Sequence, residues 1–120
     1  MSTYDYVQRA SRRGVQARAG AGGNLILDAD GNCAVFWLQA PDGLVATAQY
    51  RCTSCATLLA FCEHLSELAV GMPVEQAIEY GSDDLLALHP DVPKYKADRA
   101  TLASEAFRSA AHKIKQGETI

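Results

Sequence analysis

The sequence predicts an α+β domain: a three-stranded antiparallel meander packed against four to five helices, the last of them long. Two observations carry that reading. Between residues 25 and 52, apolar runs of strand length are separated by two Asp-Gly turns. From residue 56 onward the apolar residues recur at helical spacing instead. With 120 residues the chain is one domain, divided into an N-terminal arm, residues 1–23, and a body, residues 24–120.

In the arm, residues 3 to about 13 suit a short helix carrying Tyr6, Val7 and Ala10. Arg9, Arg12, Arg13 and Arg18 make it basic, and Gly20, Gly22 and Gly23 loosen its junction with the body, so a frayed, solvated arm is expected. Strand one, Leu25–Asp28, turns through Asp30-Gly31 into strand two, Cys33–Gln39. Strand three, Leu44–Cys52, comes after Pro41-Asp42-Gly43. Tight turns pair Asp28 with Cys33 and Ile26 with Val35, then Cys33 with Tyr50, Val35 with Ala48 and Trp37 with Ala46. Alternation then places Ile26, Val35, Trp37, Leu44, Ala46, Ala48 and Tyr50 on the core face, with Phe36 and Leu38 opposite.

Ala56–Val70 reads as an amphipathic helix, with Leu58, Phe61, Cys62, Leu65, Leu68 and Ala69 on one face. Ser54 or Thr53 is its expected cap and Gly71 its stop. Pro73–Tyr80 and Ser82–Leu88 are shorter helices, and Val92-Pro93 breaks the chain. A final helix from about Lys96 to Lys115 turns Arg99, Leu102, Ala103, Ala106, Phe107, Ala110 and Ile114 inward.

Composition narrows the function classes. A net charge of −3 gives no electrostatic footprint for nucleic acid. No apolar run approaches the ~20 residues of a membrane span, and Met1–Asp5 lacks a signal-peptide core, so a cytoplasmic protein is expected. In that compartment four cysteines read as metal, sulfur or redox chemistry, or as packing, before disulfides. Phosphate loops, Ser-His-Asp patterns and paired carboxylates are not evident, so an independent hydrolytic or transferase activity has little support.

Cys55 is the leading functional candidate. It stands where the third strand meets a helix, whose free N–H groups and positive dipole end favour a thiolate. The predicted register sets Asp28, Cys33 and Cys52 at the same end and on one face, with Cys33 and Cys52 diagonal neighbours roughly 7 Å apart. Cys62 lies between Leu58 and Leu65 and reads as packing. His64 reads as solvated, Trp37 as core and Asp98 as a first-turn acid; His89 and His112 have no evident partner.

Three stretches resemble the IscU/NifU-type iron–sulfur cluster scaffolds. They are Val45–Cys55, then Val70-Gly71 with Met72–Ala77, then Val92–Lys96 with Leu102–Ala106. The likeness spans about residues 24–115; the arm lacks the family's Asn-Pro-Arg-Asn-x-Gly motif. The family builds its cluster on three cysteines with an aspartate nearby. The resemblance places the second cysteine on Cys55, but the first on Ala29, the aspartate on Gly31 and the third on Arg99, preceded by Asp98 where histidine is common. It also implies that hairpin tip, Cys55 loop and last helix meet at one end of the fold.

The resemblance implies a scaffold that receives sulfur on Cys55 from a cysteine desulfurase and passes it to an apo-protein acceptor. An altered S₃O site for zinc, iron or a cluster would combine Cys55, Cys52 and Cys33 with Asp28 or Asp30. Arg99 would oppose a cation there and stabilise a thiolate or persulfide on Cys55. Lys94 stands where the family's chaperone-recognition stretch has a second proline, which argues against a chaperone partner. Two alternatives remain: a thiol redox or sulfur-relay protein using Cys52-Thr53-Ser54-Cys55, and a degenerate, non-catalytic binding or regulatory module.

Overall fold

Alternation along residues 33–39 makes a strand with one face dry and the other half-covered, and the rest of the domain is arranged around it. The structure is a computed structural model that describes residues 2–13 and 20–118. The elements are α1 (Thr3–Arg13), β1 (Ala21–Gly22), β2 (Ile26–Leu27), β3 (Cys33–Gln39), β4 (Thr47–Cys52), α2 (Ala56–Leu68), α3 (Val74–Glu79), α4 (Ser82–Ala87), a 3₁₀ turn (Lys94–Lys96) and α5 (Asp98–Glu118). Strand β3 is central and antiparallel to both neighbours. β4 lies on one side, and the short β1 and β2 share the other as one interrupted edge. The expected three-stranded sheet with five helices is therefore present.

On β3 the dry face is the opposite of the predicted one, while Ile26, Ala48 and Tyr50 lie on the core side as expected. Ala34, Phe36 and Leu38 are fully buried, with Ala48 and Tyr50 beside them, against Leu58, Phe61 and Leu65 of α2 and Ala103, Ala106 and Phe107 of α5. Val35 and Trp37 are half-buried on the far face, and Leu44 and Ala46 are exposed. The cause is register. Val35 sits opposite Arg51, not Ala48, a slip of three residues, and an odd slip turns β3 over relative to β4.

The slip arises because residues 43–45 pair elsewhere. Val45 donates to Met72 O at 2.8 Å and accepts from the Gly71 N–H at 2.7 Å, while Val74 donates to Gly43 O at 3.0 Å. The α2–α3 connection thus takes the start of the predicted third strand, and the hairpin closes as a wide loop. The first hairpin differs by one residue: Ile26 faces Ala34 and Leu27 faces Cys33. Its Asp30-Gly31 turn forms as expected, with Gly31 at φ +83°, where glycine carries no Cβ penalty.

The arm is no frayed tail. Tyr6 is buried and α1 packs along α2; Arg18 lies outside the described residues. Past residue 20 the chain runs close to α5. A Cβ on Gly23 would fall 2.5 Å from Ala110 N and 2.9 Å from Ala110 Cα, both rigid helix backbone. Gly23→Ala is expected to cost about 1–3 kcal/mol by overpacking, read as a lower urea midpoint at unchanged slope. Among the described residues no helix is long and apolar enough to cross a membrane.

Candidate functional site

Three segments converge at one end of the sheet: the β2–β3 hairpin tip, the β4–α2 junction and the first turn of α5. Asp28 shapes the tip. Its Oδ1 accepts the backbone N–H groups of Asp30 and Asn32, each at 2.9 Å, and the Asn32 side-chain amide reaches Oδ2 at 3.4 Å. Desolvation pushes the Asp28 carboxyl upward, but those donors and the Arg99 charge outweigh it and hold it below the usual carboxylate range.

Arg99 ties the segments together. Its Nη1 donates to both oxygens of Asp98, at 2.9 and 2.8 Å, and to Asp30 Oδ2 at 3.1 Å, with Asp28 Oδ2 at 4.0 Å. Pairing with the Cys55 sulfur is the largest influence on its charge; with Asp98 and Asp30 it overcomes desolvation and raises the guanidinium above its ordinary value. The Nε–H, however, is buried with no hydrogen-bond acceptor. A buried, unsatisfied donor costs about 1–3 kcal/mol, so an acceptor arriving there is rewarded.

Cys55 is half-buried and is itself the N-cap of α2, at φ −94° and ψ 119°, with no side-chain cap bond. Neither expected cap serves: Thr53 Oγ1 instead donates to Asn32 Oδ1 at 3.1 Å and accepts the Cys33 N–H at 3.2 Å. The thiol therefore stands beside the free N–H groups of the helix's first turn.

The other cysteines are not brought to it. Cys52 pairs with Ala34 across the ladder, so it shares the core face, while Cys33 falls on the far face with Val35. The predicted grouping of Asp28, Cys33 and Cys52 on one face depended on the slipped register and does not form. Cys52 meets Cys62 instead. A hydrogen bond from the Cys62 thiol lowers Cys52 against the effect of burial, and burial pushes Cys62 well up.

Among the described residues one group has metal-ligand spacing: carboxylate oxygens of Asp28, Asp30 and Asp98, all within 4.8 Å of one another. The sequence marks Asp98 only as a helix-start acid; its adjacency to Arg99 is the signal that could have found it. Ala29, where the resemblance puts the first cluster cysteine, is exposed at the tip. His64 and His89, expected to be solvated and partnerless, are bonded to each other at 2.7 Å.

No family model matches the chain, and no curated protein matches it in sequence. Solved structures do. The N-terminal part of a nitrogen-fixing NifU-like protein from Brucella abortus matches with a TM-score of 0.69 at 18% identity, over 98% of this chain and 92% of that one. The fold is of the IscU/NifU type. A crystal structure described only as a hypothetical protein gives a TM-score of 0.68 at 15% identity, over 92% of this chain and 96% of that one. A protein from Fervidobacterium islandicum, described as an iron–sulfur cluster assembly scaffold for the SUF system, gives 0.51 at 8% identity, over 93% of each chain. The meeting of hairpin tip, α2 start and α5 start is thus set in an IscU/NifU-type frame.

Proposed function

We propose that this protein is a scaffold-type carrier in iron–sulfur cluster assembly that takes up sulfur as a persulfide on Cys55. Two of the structural neighbours are described as NifU-like and as a cluster assembly scaffold, which supports the general role. The observation that carries the specific one is Arg99, tethered by Asp30 and Asp98, lying against Cys55 with a buried Nε–H that lacks an acceptor. An anionic sulfur on Cys55 is the acceptor this arrangement fits.

In the transfer step the Cys55 thiolate attacks the outer sulfur of a donor persulfide, R–S–SH. The donor's S–S bond breaks, R–S⁻ leaves with the bonding pair, and Cys55–S–SH forms with the proton retained. The donor class is a cysteine desulfurase and the recipient an apo-protein, both cytoplasmic by this reading. The chain carries sulfur and turns over no substrate of its own.

A resident cluster fits the residues poorly, since one thiolate faces a fixed guanidinium and a ferric cluster depends on thiolate charge donation. Asp28, Asp30 and Asp98 supply a group of hard oxygen donors, but Arg99 already neutralises them, so iron as cargo would have to displace that cation. Cys33 and Cys52, expected to complete an S₃O set for zinc or iron, lie away from that group. Because Cys52 pairs with Cys62, the Cys52–Cys55 redox alternative draws less support from the geometry.

The deciding experiment incubates the oxygen-free protein with a cysteine desulfurase and cysteine, then maps the adduct by mass spectrometry. A one-sulfur mass gain on Cys55, absent from Cys55→Ser, is expected. An unmodified Cys55, or equal loading of Cys33 and Cys52, would sink the proposal and leave a non-catalytic binding module of this fold.

A further inference from the structure

Two free thiols stand outside the Cys55 chemistry: Cys52 at the end of β4, and Cys62 in the second turn of α2. The ladder places the first. Cys52 lies opposite the fully buried Ala34, so its side chain leaves the sheet on the core side. The helix places the second. Cys62 is fully buried on the stripe of α2 that carries Leu58, Phe61 and Leu65. A separate bond clamps strand to helix at this level. The Tyr50 hydroxyl, two residues before Cys52, donates to Oε1 of Glu63, the residue after Cys62, at 2.8 Å. Both partners of that clamp are buried, and beside it the two thiols are hydrogen-bonded to each other.

We infer that Cys52 and Cys62 form a peroxide-sensitive redox pair, whose internal disulfide joins the end of β4 to α2 around the Cys55 turn. Sulfurs in hydrogen-bond contact have about 2 Å to close before they reach the ~2.05 Å of an S–S bond. Cys52 is half-buried and open to a molecule as small as hydrogen peroxide, whereas Cys62 is sealed behind it. The hydrogen bond from Cys62 favours the Cys52 thiolate against the effect of burial, so Cys52 is the attacking sulfur. Burial pushes Cys62 well up, so it keeps its proton until the sulfur beside it has been oxidised.

The Cys52 thiolate attacks one oxygen of the peroxide. The O–O bond breaks, Cys52–S–OH forms, and the departing hydroxide becomes water with the proton that Cys52 had released. The Cys62 sulfur then attacks the Cys52 sulfur. The S–O bond breaks, the S–S bond forms, and the second hydroxide leaves as water with the Cys62 proton. Two thiols lose two electrons and two protons, and the peroxide is reduced to two waters. A dithiol reductant reverses the change by thiol–disulfide exchange. The loop so closed contains Cys55, whose own sulfur takes no part, and the chemistry does not depend on Cys55 carrying sulfur.

The test treats the intact, folded Cys55→Ser protein with a small excess of hydrogen peroxide, then alkylates, digests and maps it by mass spectrometry. The expected main product is a peptide pair joined through Cys52 and Cys62, returned to free thiols by dithiothreitol. With Cys62→Ala added, Cys52 should stop at the sulfenic acid or pass to the sulfinic acid without a link. With Cys52→Ser added instead, Cys62 should remain an unoxidised thiol. In the wild type, Cys52 should join Cys62 in preference to Cys55 by at least about tenfold, because the first two thiols are already in contact. No link in the folded protein, Cys33 or Cys55 as the main partner of Cys52, or oxidation of Cys62 in the Cys52→Ser protein would each overturn the pair.

Discussion

Replacing Arg99 by alanine is expected to slow sulfur loading of Cys55 by about 10- to 100-fold, the equivalent of the roughly 1.5–3 kcal/mol of a hydrogen bond to a charged group. The guanidinium meets the sulfur from a position fixed by both Asp98 oxygens and by Asp30. It is thus oriented before the donor arrives, and little reorganisation opposes the transfer. Arg99→Lys keeps a cation but loses the planar fork, so an intermediate rate is expected. Removing the cation also leaves Asp28, Asp30 and Asp98 facing one another within 4.8 Å. The alanine variant should therefore bind Mn²⁺ more tightly than the wild type, as monitored by electron paramagnetic resonance. Single-turnover transfer from excess desulfurase, quenched and read by mass spectrometry, gives the rate. Wild-type loading by a folded Arg99→Ala protein would remove Arg99 from the mechanism.

The element order was legible because each segment carried its own local signal. Asp30-Gly31 marked a hairpin, and the spacing of Leu58, Phe61, Cys62 and Leu65 marked a helix whose buried stripe contains those four residues. The local signals missed a long-range competition. Residues 43–45 have strand character, and the sequence does not say whether β3 or the α2–α3 connection takes their hydrogen bonds. The connection takes them, the hairpin loop widens, and Phe36 and Leu38 replace Val35 and Trp37 in the core. A strand apolar on both faces offers no contrast with which to settle the register.

The site shows the same division. Cys55 at a helix start and Arg99 on an otherwise apolar face were readable one residue at a time. Their neighbours were not, because the company of Cys33 and Cys52 hung on a register that inverted. The resemblance supplied the feature the pattern lacked, the meeting of tip, junction and last helix, and the Arg99–Asp30 contact across 69 positions joins tip to helix. Asp98 escaped because one carboxylate at a helix start has an adequate local explanation. His89 escaped because its partner Thr3 lies 86 positions away in a segment that composition alone assigns to solvent.

Ala29→Cys combined with Arg99→Cys is expected to convert the protein into one that retains a two-iron cluster after anaerobic reconstitution, with about two irons per chain and visible absorption that the wild type lacks. The resemblance assigns both positions to cluster cysteines, and the fold brings tip, Cys55 and first turn of α5 to one end. The change replaces an exposed methyl group and a fixed cation by two thiolates, so three thiolates would share the ferric charge where one now faces a guanidinium. Ala29→Cys alone, with Arg99 still held by its aspartates, should stay colourless. Because Cys33 lies on the far face and Cys52 is engaged by Cys62, adding Cys33→Ser and Cys52→Ser should leave the cluster in place. Loss of the cluster in that background would put the ligands on β3 and β4. Failure of the double variant to hold iron at all would mean that Ala29 and Arg99 do not occupy the scaffold's ligand positions.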